Sequence, residues 1–376
     1  MQGSYIIFVR TASGDLVQSV TDYTQLHILD TLNDVGQWTL ASVSEDNCPF
    51  QPGYGIVVVR NGVCIYSGIV SSIQSTFDAN KRLYSWQVNG VNDLGLLARR
   101  VCFVSPYNGS TTTYSHYTDS GDITVVVSNL IKANAGNLAM AERKTPIIEN
   151  HASPLLSISV SVSLRFQNLL TAIAALCSAN NCGIRAVWDQ SNSKVYFEVF
   201  QPRDLSSTIY YAEYLDNVAQ SEYIGKAPDG NWIIAGGTGE LTARTFATAQ
   251  NDTSIAQWGR IEVFQDARNQ NNVASYVTDV LAKKSDSMIG YSVTASDVDT
   301  APQYGIDYQL GDIIGANVMG QNITAQIQQI EITVANGVEH IVPKFGTLSL
   351  GKFREIFQRL DDMQENMNEL LGIEIA

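Results

Sequence analysis

Histidine, cysteine and basic residues are all scarce in this 376-residue chain, and each scarcity removes a class of function. The four histidines, His27, His116, His151 and His340, are widely scattered and form neither HExxH nor His-x-His spacing. Zinc hydrolases hold imidazoles together on one face, so no such centre is expected. The five cysteines, Cys48, Cys64, Cys102, Cys177 and Cys182, are odd in number and lack a dense framework spacing. That usage predicts free thiols and synthesis in a reducing compartment. Cys177 and Cys182 have no histidine nearby, which suits buried small side chains better than a metal site. With 23 Lys and Arg against 37 Asp and Glu, the formal net charge is −14. Proteins that grip nucleic acid through its phosphates cluster basic residues, so no specific nucleic-acid binding is expected. No uninterrupted apolar run approaches the ~18 residues that cross a bilayer. The amino terminus, MQGSYIIFVR, has neither a basic region nor a small-residue cleavage site. A soluble protein without a signal peptide or stable membrane insertion is the expectation.

What is present is core material, 45% hydrophobic against 16% charged. That balance marks a folded chain, and its length exceeds one usual core, so two to four compact units are expected. Over 1–100, short apolar runs alternate with turn signals, and residues 5–10, 26–29, 38–43 and 84–88 read as strands. IVVVRNGVCIY reads as a tight hairpin, because Asn61-Gly62 supplies the two positive φ angles of a type I′ turn. Asn89-Gly90 reads as another turn. Strands of this kind predict a small antiparallel barrel or sandwich.

Helical periodicity appears over 123–133 and 164–177, the second carrying Phe166, Leu169, Leu170, Ile173 and Leu176 on one face. Ser120 and Asp122 are the candidate caps of the first. Residues 184–188 and 195–200 flank DQSNS as a hairpin packed on the second helix. Strands return at 231–235 and 241–246 around GGTGE, at 260–264, and at 313–318, 323–334 and 338–342, the last two joined at Asn336-Gly337. A helix spans 273–284, with Val273, Tyr276, Val277, Val280 and Leu281 on one face. The segment 351–376 repeats apolar residues at heptad spacing: Phe353, Leu360 and Met367 in one row, Ile356, Met363 and Leu370 in the other. This pattern suits a helical seam between copies, or an amphipathic helix lying on its own subunit. So short a seam needs neighbouring domains to hold its partners close.

Signs of catalysis are wanting. No Gly-x-Ser-x-Gly elbow occurs. AGGTGE, with Gly236, Gly237 and Gly239, lacks the Lys-Ser/Thr of a phosphate loop and sits between strands, so it reads as a hairpin loop. Asp297 and Asp299 begin an Asp-x-Asp, but the Gly and distal Glu of a calcium loop are missing, which favours a solvated loop. Carboxylates are many, yet none is singled out as a pair flanking a cleft. Asp361, Asp362, Glu365 and Glu369 lie mostly off the heptad seam and read as solvating groups. No catalytic, cofactor-binding or metal-ligating residue is assigned.

Several phrases, taken in order, resemble the hub or tail-associated proteins of siphophages that infect Gram-positive bacteria. They are VGQWTL (35–40), FQPGYGIVVVRNGVCIYSGIV (50–70), NGVNDLGLLARRV (89–101), FQNLLTAIAALCSANNCGIRAVW (166–188), VYFEVFQPRDLS (195–206), WGRIEVFQDAR (258–268) and YQLGDIIGANV (308–318). The resemblance implies an α+β, predominantly β protein with the fold of a phage baseplate hub. Two small tail-tube-like antiparallel β-barrel domains, 1–100 and 206–350, would be joined by an α+β domain at 101–205 and followed by a short C-terminal helix at 351–376. It implies a homotrimer at the virion's tail tip, assembled in the host cytoplasm. Two barrels per subunit would match a six-fold ring of distal tail or tail-tube protein. The trimer would hold the tape-measure protein, contact other tail-tip or fibre proteins, and close or gate a channel for DNA. An acidic wall there would repel phosphates and leave transit unhindered. Many family members continue into a peptidoglycan hydrolase or a receptor-binding fibre; the sequence stops after the helix, so neither activity is expected. Two alternatives stand beside the hub. One is a glycan-cleaving carboxylate enzyme; the other is a receptor- or carbohydrate-binding module whose tyrosines stack on sugars.

Overall fold

A computed structural model describes residues 3–103, 115–151, 153–270, 272–285, 288–295, 302–335 and 337–346. The seam residues Phe353, Ile356, Leu360, Met363, Met367 and Leu370 lie outside these, as do Asp297, Asp299 and Asn336. The chain divides into two units, one of Met1–Ser221 with Ser292–Phe345 and another built around Glu222–Tyr291.

In the first unit, alternating apolar residues produce strands β1 (Tyr5–Arg10), β2 (Leu16–Val20), β3 (Gln25–Thr31), β4 (Gln37–Ser44), β5 (Gly55–Arg60), β6 (Val63–Asp78) and β7 (Leu83–Asn92). They pair antiparallel in the order β2-β1-β5-β6-β7-β4-β3, an order that stays open at β2 rather than closing into a ring. Asn61 and Gly62 have φ of 52° and 83°, so the expected tight hairpin joins β5 to β6. Asn89-Gly90 is not a turn, because both residues lie inside β7. A Cβ at Gly90 would fall within the indole of Trp38, which is 1% exposed. The glycine there serves the close approach of a core ring.

Next come α1 (Gly95–Ala98), β8 (Tyr117–Asp122), α2 (Ile123–Asn134), β9 (Ser159–Leu164), α3 (Leu169–Ala179), β10 (Gly183–Asp189) and β11 (Lys194–Phe200). Asp122 caps α2, accepting from the Thr124 N–H, whereas Ser120 lies within β8. The second helix begins later than its periodicity suggests. Leu164 ends the alternating strand SVSVSL, Phe166 takes a positive φ of 55°, and Asn168 caps α3 by accepting from the Thr171 N–H. Helices α2 and α3 and the β10–β11 hairpin share one core with β5 and β6, through Val57, Ile69, Val126, Leu130, Ile173 and Val195. Asn33, on the β3–β4 turn, ties this layer to the sheet: its Oδ1 accepts from the Ile184 N–H at 2.8 Å and its Nδ2 donates to the Cys182 carbonyl at 3.2 Å.

After β12 (Tyr210–Ala212), the chain leaves the first unit within β13 (Val218–Lys226). The second unit holds β14 (Trp232–Gly236), β15 (Phe246–Gln250), α4 (Asp252–Trp258), β16 (Glu262–Asp266) and α5 (Val273–Lys284), the last with the bounds its periodicity predicts. Its sheet runs β15-β14-β16, and α5 covers one face by packing Val277 on Ile233 and Ala235. The strand expected over 241–246 is instead a 3-10 turn at Leu241–Ala243 followed by β15. Leu241 is 92% exposed with φ of 48°, so it has neither the burial nor the backbone of a strand residue.

The chain returns within β17 (Met288–Ala295) and ends its described course in β18 (Ile313–Val318), β19 (Gln321–Ala335) and β20 (Val338–Gly346). β18 lies antiparallel to β19 and accepts β12 in parallel on its other side. β19 also pairs antiparallel with β3, from Gln25↔Ala335 to Thr31↔Gln329. Strands from the two ends of the chain therefore form one sheet.

Candidate assembly surfaces

The scattered histidines stay scattered in the fold. His27 reaches across the β3–β19 pair, with Nε2 2.9 Å from Oε1 of Glu331, whose other oxygen lies 3.4 Å from the Lys344 ammonium. The His27 bond, followed by the Lys344 charge, overcomes burial and holds the Glu331 carboxyl down at about 2. His151 stacks on Tyr196 at 4.0 Å between centroids, and His116 contacts the neighbouring Ser115 hydroxyl on an exposed bend. Among the described residues, no group of three or more His, Cys, Asp or Glu could hold a metal ion. All five cysteines are free thiols, and burial pushes Cys177 up to about 12, far from thiolate character. Gly237 and Thr238 sit in the β14–β15 connection, paired with Thr245 through backbone bonds of 2.8 and 3.0 Å. The loop joins two strands, as expected of a hairpin loop, and Val273, the first residue of α5, packs beside Gly237.

Surfaces suited to assembly are easier to find. Beyond a bulge between Val70 and Ser72, β6 continues along β7 as a polar strand that is largely exposed, while β7 there stays paired with β4 and buries Trp86 and Val88. Phe77, 53% exposed, packs on Tyr84 at 4.7 Å between centroids, and Asp78 closes the tip by accepting from the Asn80 and Lys81 N–H groups. The hairpin expected within IVVVRNGVCIY extends well beyond that phrase, because β6 runs on to Asp78 through SSIQSTFD, which carries little apolar alternation. At one end of the strand order, β2 exposes Leu16 and Val17 and has no strand beyond it among the described residues. Such an edge offers backbone groups to an incoming strand.

A charged lock holds the ends of the first unit together. Arg60 grips Glu339 of β20 with two bonds, Nε to Oε1 at 2.6 Å and Nη2 to Oε2 at 3.0 Å. Tyr5 donates its hydroxyl to the same carboxylate, and the Gly3 N–H adds a bond of 3.3 Å. Burial and this acidic partner both raise the Tyr5 phenol, so it remains a donor at any ordinary pH. Bidentate guanidinium–carboxylate geometry fixes direction as well as distance.

Residues 6–347 match the family of the Siphovirus ReqiPepy6 Gp37-like protein. No curated protein matches the sequence. The fold is similar to that of the 43 kDa tail protein of prophage MuSo2 from Shewanella oneidensis, with a TM-score of 0.55 and 13% identity over 91% of this chain and 98% of that one. Prophage tail protein gp18 from Listeria monocytogenes EGD-e gives 0.52 at 12% identity, covering 95% and 99%. A tail protein from Neisseria meningitidis MC58 gives 0.51 at 10%, covering 92% and 97%. At such identities the shared property is the fold. The resemblance seen in the sequence phrases agrees with both results, and this chain belongs to the Siphovirus ReqiPepy6 Gp37-like family.

Proposed function

We propose that the protein is a structural, non-enzymatic component of a siphophage tail and forms the hub at the tail tip. The observation that carries this reading is the end-to-end similarity of fold to a prophage tail protein, 91% of this chain against 98% of that one. In the proposed assembly three copies surround the tail axis, and the β-rich segments 1–100 and 206–350 act as tube-like modules beneath a six-fold ring, with 101–205 between them. The open β2 edge and the exposed outer length of β6 supply inter-subunit contacts, and Phe353, Ile356, Leu360, Met363, Met367 and Leu370 form a helical seam at the axis. The hub holds the tape-measure protein and gates DNA passage, and a net charge of −14 keeps the phosphates from adhering.

Light scattering and electron microscopy of the purified protein, alone and with its tail neighbours, test the assembly. A three-fold ring is the expected result; a monomer under all these conditions defeats the hub reading. Leu360→Asp with Met363→Asp should weaken the trimer while leaving the thermal unfolding of the first unit unchanged. Zymography on cell-wall and capsular polysaccharides should show no clearing, and clearing would return the glycan-cleaving alternative.

A further inference from the structure

A cavity of about 460 Å³ opens in the first unit between the turn end of the β5–β6 hairpin, the β10–β11 hairpin and the loop from Tyr304 to Leu310. Asp30, on β3, lines it, and both bonds that this carboxylate accepts fall on Oδ1, from Asn92 Nδ2 at 3.0 Å and the Thr31 N–H at 3.2 Å. Its Oδ2 accepts none and is not sealed from solvent. The other charges in the wall are matched: Arg60 by Glu339, and Arg185 by Glu198 at 2.7 Å. One negative charge is thus left over. Two lining side chains, Tyr66 and Trp188, also have buried polar atoms, Oη and Nε1, that lack any hydrogen-bond partner. Buried polar atoms without partners are uncommon, but Trp188 Nε1 only donates and is no partner for a cation, so the unmatched Asp30 carboxylate carries the inference. Ile184, Trp188, Phe200 and Leu310 add apolar wall, while Val63 and Ile306 stand 65% and 67% exposed among the lining residues.

We propose that this cavity receives a lysine or arginine side chain carried on a short segment of a partner protein. Its cationic head would meet Asp30 Oδ2, its alkyl stem would lie along Trp188 and Phe200, and its flanking backbone would cover Val63 and Ile306. Two features favour a peptide-borne cation over a free amine. The volume falls in the range that takes a drug-sized ligand and exceeds what a lone ammonium fills. The exposed aliphatic residues gain nothing from a small amine but are covered by a chain. Burial pushes Asp30 up to about 6, and Tyr66 and Tyr304 are raised in part by its charge, so the carboxylate form that binds a cation prevails at neutral pH. This proposal goes beyond the tail-hub reading and stands or falls independently of it.

The test is ligand-observed NMR titration of the full chain with Nα-acetyl-lysine methylamide, its norleucine counterpart and n-butylamine. The lysine compound should bind at least about tenfold more tightly than norleucine, a difference of about 1.4 kcal/mol, and its affinity should fall as pH drops below 6. Asp30→Asn, checked for folding by thermal unfolding, should abolish the preference for lysine. Equal binding of norleucine, unchanged preference in the Asn variant, or no binding of either compound would overturn the proposal. Butylamine binding as tightly as the lysine compound would overturn the peptide assignment in favour of a small-amine site.

Discussion

Asp93→Ala should be among the most damaging single substitutions in the first unit. Arg10 and Asp93 are 1% and 0% exposed and form an ion pair inside the sheet. Arg10 Nη2 also donates to the Gly68 carbonyl at 3.1 Å, and its guanidinium lies 5.3 Å from the centroid of the Trp188 ring. Asp93 Oδ2 accepts from Ser67 Oγ at 2.6 Å. Removing the carboxylate leaves a buried guanidinium without its counter-charge, at a cost of about 3–5 kcal/mol. For a unit of this size about 2–3 °C is lost per kcal/mol, which places the drop in melting temperature at roughly 6–15 °C. Scanning calorimetry should show the loss in the transition of the first unit alone. Adding Arg10→Met to the alanine variant should recover much of it, because the remaining partner is then apolar and the stranded charge is gone. A loss below about 1 kcal/mol for Asp93→Ala, or a double variant no better than the single one, would refute the reasoning that an unmatched charge is the cause.

Three further outcomes follow from described geometry. Gly90→Ala should lower stability by about 1–3 kcal/mol, since the Trp38 ring must move to admit the methyl group; urea unfolding checks it. Asp30 has its carboxyl raised to about 6, so the folded state holds a proton more tightly than the unfolded one, and stability should fall as pH rises from about 4 through 6, by up to about 3 kcal/mol. Asp30→Asn should remove that slope and be more stable than the parent at pH 7.5 but not at pH 4. Glu331 shows the opposite sign: with its carboxyl held at about 2, its stabilisation is present above the ordinary carboxylate range and lost as pH falls toward 2. Because its side chain is 31% exposed, Glu331→Gln should cost only about 1 kcal/mol at pH 7 and nothing near pH 2, measured by denaturant unfolding at both.

Local chemistry made much of the fold readable. The Asn61-Gly62 turn, the Asp122 cap and the apolar face of 273–284 are decided within a few residues, and the structure has them where the sequence places them. Asn89-Gly90 failed because an Asn-Gly pair also suits a strand when a distant indole needs the space of the missing Cβ. The late start of α3 turned on residues 159–164, whose SVSVSL alternation outweighs the helical spacing of the apolar residues after it. The pairing of β3 with β19 left no local mark at all, since register between distant strands is set by the assembled sheet. The same holds for the cavity. Asp30, Tyr66, Arg185 and Tyr304 are remote in sequence, and only their side-chain bookkeeping shows that one carboxylate oxygen lacks a partner.

The β3–β19 pair also sets a clock for folding during synthesis. Its partners lie about 300 residues apart, so β3 emerges from the ribosome long before the strand that will cover its free edge. At about 5–20 residues per second that interval is roughly 15–60 s. During it, the backbone edge of β3, including Leu26 and Ile28, has no permanent occupant, and the Arg60 lock must likewise wait for Glu339. Such long-range closure makes for slow completion and a nascent chain open to mispairing with its neighbours on the same message. The completed sheet closes that edge, with Gln25 through Thr31 of β3 paired to Ala335 through Gln329 of β19.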